Sequence, residues 1–198
     1  MELIKSVTFS NLTRAFISEC AAKTRYEFIE YGARYNGKEA IATIVDKIAY
    51  QEFNHARMLY TKIQSASQRT IDNHDVCASL PFKEKWDVLE NLRLAAEDEA
   101  SEAIFYQKAA KTAESEGFKD IAELFDLIRA AEIKHRKVFL FLYERLKDGT
   151  LYKRDKKEKW ICPSCGHEYS GEECFKTCPL CGAKQETVLI PMPKELML

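Results

Sequence analysis

The chain has 198 residues, of which 46% are hydrophobic and 31% charged, and a formal net charge of -1. That length supports one medium domain, or one with a small appendage, and the balanced charge offers neither a basic surplus for nucleic acid nor an acidic tail. The opening MELIKSVTFS lacks the apolar run of a secretion signal and no stretch approaches the ~20 apolar residues of a membrane span, so a soluble cytoplasmic protein that binds no membrane is expected.

From about Asn11 to Lys147 the pattern is helical, with Gly32, Gly37, Pro81 and Gly117 as punctuation. Residues at spacings of three and four share a helix face. The first stripe runs Leu12, Ala15, Glu19, Ala22, Tyr26, Ile29 and the second Ile41, Val45, Ile48, Glu52, His55, Leu59, Ile63. The third runs Val88, Leu92, Ala95, Glu99, Glu102, Tyr106, Ala110 and the fourth Ile121, Leu124, Ile128, Glu132, His135, Phe139, Leu142. Four amphipathic helices predict an all-α four-helix bundle, and the long segment of roughly 65–83, with Asp72, Asn73, His74 and Pro81, reads as the crossover of a ferritin-like topology. Residues 1–147 form the expected bundle, 148–158 a charged linker, and 159–198 a small tail with too few large apolar residues to fold without a staple.

Each apolar stripe is interrupted at the same level by an acid. The second and fourth helices carry Glu-x-x-His, and Glu52 follows Glu19 by the same interval that separates Glu132 from Glu99. His55 and His135, and Tyr26 and Tyr106, stand at matching offsets too, so the halves repeat with a shift of 80 positions. A Glu from each of two helices with Glu-x-x-His from each of the other two is the di-metal carboxylate arrangement of helical bundles. Four carboxylates neutralise two divalent cations in a site where unpaired acids would be costly to bury. Mixed oxygen and imidazole donors suit iron or manganese better than zinc. A single Glu-x-x-His is commonly a solvated pair; two at identical offsets from a further inward Glu favour metal. Tyr26 and Tyr106 share the ligand stripe, where a core tyrosine with a satisfied hydroxyl is the ordinary reading.

The stretch EDEASEAIFY at 97–106 sorts by helical angle. At about 100° per residue Glu99, Glu102 and Tyr106 fall within one sector, Glu97 lies opposite, and Asp98 lies on the flank. Glu97 and Asp98 are therefore expected at the surface. The repeat matches Glu102 with Ala22, making Glu102 an extra carboxylate beside a symmetric set of six ligands.

Seven cysteines without a secretion signal argue for metal thiolates rather than disulfides. Residues 162–182, CPSCGHEYSGEECFKTCPLCG, hold two Cys-x-x-Cys knuckles, and Cys162, Cys165, Cys178 and Cys181 at this spacing imply one tetrahedral metal, iron or zinc, that supplies the tail's folding energy. Cys174 and His167 are expected to be bystanders, and Cys20 and Cys77 ordinary thiols.

With both sites in view, the chain resembles a rubrerythrin, a ferritin-like di-iron domain fused to a rubredoxin-like domain. The resemblance rests on NLTRAF, Glu19 and RYEF, EFNHA, Glu99 and Glu102 before FY, AEIKH, GTLYKRD, KWICPSCG and CPLCGA. It implies a non-haem di-iron peroxidase of oxidative-stress defence: the diferrous centre reduces hydrogen peroxide to water and becomes diferric, and the single tail iron returns electrons from an NAD(P)H-linked rubredoxin or reductase. It implies Glu19, Glu52, Glu99, Glu132 and His135 as constant ligands, with Glu52 and Glu132 bridging. It implies that Glu102 and His55 alternate at one iron, the carboxylate when oxidised and the imidazole when reduced, and a head-to-tail homodimer in which each tail serves its partner. Tyr26 and Tyr106 join Glu102 and His55 as candidate catalytic residues. Asp98 stands where such sequences often have Gly, Cys20 where a hydroxyl is common, and His167 where an aromatic is frequent. Two other readings compete: iron oxidation, iron storage or oxygen reduction, and a zinc-ribbon tail on a metal-stabilised scaffold.

Overall fold

A computed structural model describes residues 2–67 and 86–198. Four helices dominate it: α1 (Val7–Tyr35), α2 (Glu39–Ser65), α3 (Val88–Ser115) and α4 (Lys119–Lys147). α1 packs along α2 and α3 along α4, and the two hairpins meet through α1 with α3 and α2 with α4. The expected crossover, with Pro81 and Cys77, lies mostly outside the described residues.

Local chemistry sets the ends. The Ser6 side chain accepts the amide of Phe9 at 3.1 Å, and the Glu116 carboxylate takes the amides of Val7 and Thr8 at 3.1 and 2.8 Å. The turn between α3 and α4 thus satisfies free donors of the α1 amino terminus and ties the hairpins together. Asp87 caps α3 by accepting the Glu90 amide at 3.0 Å. Gly37 and Gly117, equivalent in the repeat, end α1 and α3 at φ of 68° and 89°, where a side chain would be strained. Gly32 differs from the expectation that it interrupts the first helix, for it lies inside α1. An added Cβ there would come 3.3 Å from the Trp86 ring, so the glycine makes room for that indole.

Every member of the four stripes is buried except Leu124, which is partly exposed. The acids divide the core into two apolar compartments. One gathers Ile41, Val45, Leu92 and Phe139, the other Leu12, Leu59, Phe125 and Ile128, and the ligand layer lies between them. Apolar packing above and below keeps the helices rigid and excludes water from the polar layer.

After α4 the chain forms an antiparallel pair, β1 (Lys153–Ile161) and β2 (Glu168–Glu173). β1 begins within the segment expected as linker, because its backbone finds ladder partners in β2. Trp160 is fully buried with Cys174 and Val188 and donates its indole N–H to Gly171 O at 2.9 Å. The carboxy-terminal segment then returns to the bundle, where Ile190 and Leu196 join the compartment of Ile41. Arg154 fastens this return, donating to Pro191 O at 3.1 Å with its guanidinium over Phe141 and Trp160. Among the described residues no helix is long and apolar enough to cross a membrane.

Candidate metal centres

Glu19 on α1, Glu52 and His55 on α2, Glu99 on α3, and Glu132 and His135 on α4 meet in the layer between the compartments. They form two groups with donor atoms within 4.8 Å of one another: Glu19, Glu52, His55 and Glu132, and Glu52, Glu99, Glu132 and His135. Glu52 and Glu132 belong to both. Glu52 presents one oxygen 3.0 Å from His55 Nδ1 and the other 2.8 Å from His135 Nδ1, and Glu132 does the same at 3.0 and 2.8 Å. Each of these carboxylates therefore faces both donor groups, the geometry of a bridge between two cations.

The electrostatics call for cations. All four glutamates are fully buried, and Glu19 and Glu99 each keep one oxygen without a hydrogen bond. Burial, with repulsion from Glu132, pushes the Glu19 and Glu99 carboxyls well above the usual range. Burial works against the charged form of His135, yet the neighbouring Glu52 and Glu132 raise it to about 9. These are groups that share protons when no metal is present, and two divalent ions replace those protons with a better match of charge. Six oxygen and imidazole donors in two overlapping sets fit a pair of iron ions.

Two tyrosines support the carboxylates crosswise. Tyr26 on α1 donates its hydroxyl to Glu99 at 2.5 Å, and Tyr106 on α3 donates to Glu19. Both tyrosines are thus core residues whose hydroxyls are satisfied by these carboxylates. Gln51 holds the far side of His135, with Oε1 2.8 Å from Nε2.

Glu102 lies outside both donor groups. It is buried, accepts the Ser18 hydroxyl at 2.7 Å, and leaves its second oxygen without a hydrogen bond. Burial, then repulsion from Glu132, raises it to about 8. Of its neighbours in EDEASEAIFY, Glu97 is exposed and paired with Arg93, as expected. Asp98 corrects the expectation of a surface charge: its side chain is 13% exposed and pairs with Arg25 across the α1–α3 seam. A flank position becomes interior when a neighbouring helix covers it and brings a counter-ion.

In the tail Cys162, Cys165, Cys178 and Cys181 converge, with Sγ separations of 3.7 Å for Cys162 to Cys181 and 3.6 Å for Cys165 to Cys178. The knuckles are built alike: Cys162 N donates to His167 O and Cys178 N to Ala183 O, and Gly166 and Gly182 take positive φ just after each pair. Burial opposes ionisation of Cys162, but backbone amides at Ser164 and Cys165 and the neighbouring thiols bring it down to about 7. Cys174 packs in the small core and His167 rests against Phe175, both outside the sulfur cluster.

The family model for rubrerythrin matches residues 10–89 and 90–163. The chain belongs to the rubrerythrin family. It is 33% identical to a rubrerythrin of Clostridium perfringens over 175 residues, covering 88% of this chain and 89% of that one. It is 36% identical to a putative rubrerythrin of Methanocaldococcus jannaschii over 179 residues, covering 88% and 87%. A structure of nigerythrin in a mixed-valence state superposes with a TM-score of 0.61 at 25% identity, covering 91% of this chain and 84% of that one. The donor sets of this chain fit what a rubrerythrin carries, a di-iron carboxylate centre and one iron in a four-cysteine knuckle.

Sequence reasoning missed Ser18, Gln51 and the Arg25–Asp98 pair. A signal existed, since the shift of 80 sets Ser18 against Asp98 and Gln51 against Ala131, and each mismatch marks a place where the halves differ.

Proposed function

We propose that the protein is a cytoplasmic peroxidase that reduces hydrogen peroxide to water and is reduced again through its four-cysteine iron by an NAD(P)H-linked rubredoxin or reductase. The observation that carries this reading is the asymmetry at the centre, with His55 inside its donor group and Glu102 parked beside it on Ser18. Bound iron would supply the electrons that reduce the peroxide. The chain supplies the rest. Glu19, Glu52, Glu99, Glu132 and His135 would hold the ions throughout, and His55 and Glu102 would alternate as the ligand beside Glu19. A neutral imidazole suits the lower charge and an anionic carboxylate the higher one, so Glu102 answers the added positive charge without any change in the other five ligands. Tyr26 and Tyr106 keep Glu99 and Glu19 oriented, and the apolar compartments keep water out. Delivery of electrons is assigned to a head-to-tail homodimer in which each four-cysteine knuckle serves the partner's bundle.

The deciding experiment is anaerobic reduction followed by titration with peroxide while both iron centres are watched. Oxidation of the di-iron centre first, then of the four-cysteine iron, with water as product, is expected. Faster turnover with oxygen than with peroxide, using one reductant, would overturn the reading. A monomer in sedimentation that retains full rubredoxin-dependent turnover would overturn the dimer.

A further inference from the structure

We propose that Gln51 pins His135 as a permanent metal ligand, and that Ala131, standing in its place in the other half of the repeat, leaves His55 unpinned and able to leave its metal. The proposal deepens the ligand exchange argued above and rests on it for the second half only.

The two histidines are equivalent by the shift of 80, and both turn Nδ1 toward the bridging carboxylates. Their outer nitrogens differ. His135 Nε2 lies 2.8 Å from Gln51 Oε1, whereas His55 is hydrogen-bonded among the described residues through Nδ1, to Glu52. The residues differ in burial to match, His135 at 1% exposed and His55 at 8%. Gln51 reaches from α2 to the histidine of α4, so the repeat calls for a side chain at position 131 on α4 reaching the histidine of α2. Ala131 has no acceptor to offer.

The physics follows from imidazole chemistry. A histidine that gives Nδ1 to a metal carries its proton on Nε2, and a fixed acceptor there sets the tautomer, the ring orientation and the basicity of the ligand. To leave the metal, His135 would have to give up Gln51 as well. Among the described residues His55 has no such second bond to give up. The same repeat that supplies six matched ligands therefore carries, in one Gln to Ala difference, the means for one histidine to stay and its twin to move. Gln51 touches no reacting atom and is a positioning residue.

The test uses the full chain loaded anaerobically with ferrous iron. Proton NMR resolves the paramagnetically shifted imidazole N–H signals, and the wild type should show one that exchanges slowly with solvent, from His135, and one that exchanges fast, from His55. Gln51→Leu should make the slow signal fast and weaken the second ferrous ion by about ten- to a hundredfold, the usual effect of losing a partner of a metal-bound histidine. Gln51→Glu keeps an acceptor and should retain the slow signal, which a merely structural role would not explain. Ala131→Gln should slow the second signal and keep His55 on its metal after oxidation. A slow signal that survives in Gln51→Leu, or equally fast signals in the wild type, would overturn the pinning. If crystals of reduced and oxidised wild type both show His55 on the metal, the peroxide-driven exchange falls together with the role given to Ala131, while the exchange rates still decide that of Gln51.

Discussion

Ser18 on α1 donates its hydroxyl to Glu102 on α3 at 2.7 Å and so holds the unmatched carboxylate of the internal repeat beside the donor groups rather than within them. A hydrogen bond contributes about 0.5–1.5 kcal/mol. Ser18→Ala should therefore shift the balance toward Glu102 on the metal by roughly two- to tenfold. Reduced crystals of the variant should show Glu102 at the metal in the place proposed for His55 in the wild type, and an unchanged distribution would remove Ser18 from the proposed exchange.

Glu102→Ala should retain two ions per chain, because the six ligands of the two donor groups are untouched. Peroxide turnover should fall by about 100-fold, the scale expected when a group acting in the reacting state is lost. Iron analysis and stopped-flow peroxide consumption test the two halves separately. Loss of iron would make Glu102 a structural ligand, and full turnover would end its part in the reaction.

The crossed tyrosines predict effects that differ by site. Tyr26→Phe removes the donor to Glu99 and should weaken the ion of the Glu99 and His135 group, whereas Tyr106→Phe should weaken the ion held by Glu19 and His55. About tenfold in affinity is expected for each. Anaerobic ferrous titration with each single variant will show whether the two losses fall on different ions.

Removal of metal should make stability depend on pH. Glu102, raised to about 8 first by burial and then by Glu132, and His135, raised to about 9 against its burial by Glu52 and Glu132, hold protons in the folded chain at pH values where the unfolded chain has released them. The folded state then binds more protons, so stability falls as pH rises from about 4.5 through about 9. Burial also works against Glu52, but His135 holds its carboxyl below the ordinary range, and its opposite contribution lies below that window. Chelated protein followed by helical circular dichroism should melt lower at about pH 9 than at about pH 6, and ferrous loading should remove most of the difference because ions then take the place of the protons.

Cys178→Ser should abolish the red colour of a ferric tetrathiolate while leaving the bundle's helical signal and its di-iron content intact, because the two metal sites draw on separate side chains. With a small core of Trp160, Cys174 and Val188 flanked by Tyr152 and Phe175, the tail should become sensitive to protease at the same time. A protease-resistant tail without metal would show that its docking on the bundle through Ile190, Leu196 and Arg154 suffices to hold it.

Much of the site was legible in the sequence because metal ligands on helices obey the helical period. Glu19, Glu52, His55, Glu99, Glu132 and His135 had to share inward faces, and an offset repeated between the halves is not obtained cheaply by chance. The two Cys-x-x-Cys knuckles carried their own geometry for the same reason: a tetrahedral ion admits few spacings. Periodicity reports which face of a helix a residue occupies; it is silent on which helix lies opposite and on the rotamer a side chain takes there. Only the tertiary structure therefore decided that Glu52 and Glu132 face both donor groups, that Asp98 is covered and paired with Arg25, that Gly32 admits Trp86, and that the carboxy terminus returns to the bundle. It also decided that Glu102 rests on Ser18 and that Gln51 grips one histidine of an otherwise matched pair, since these contacts join different helices and follow from their packing rather than from any spacing along the chain.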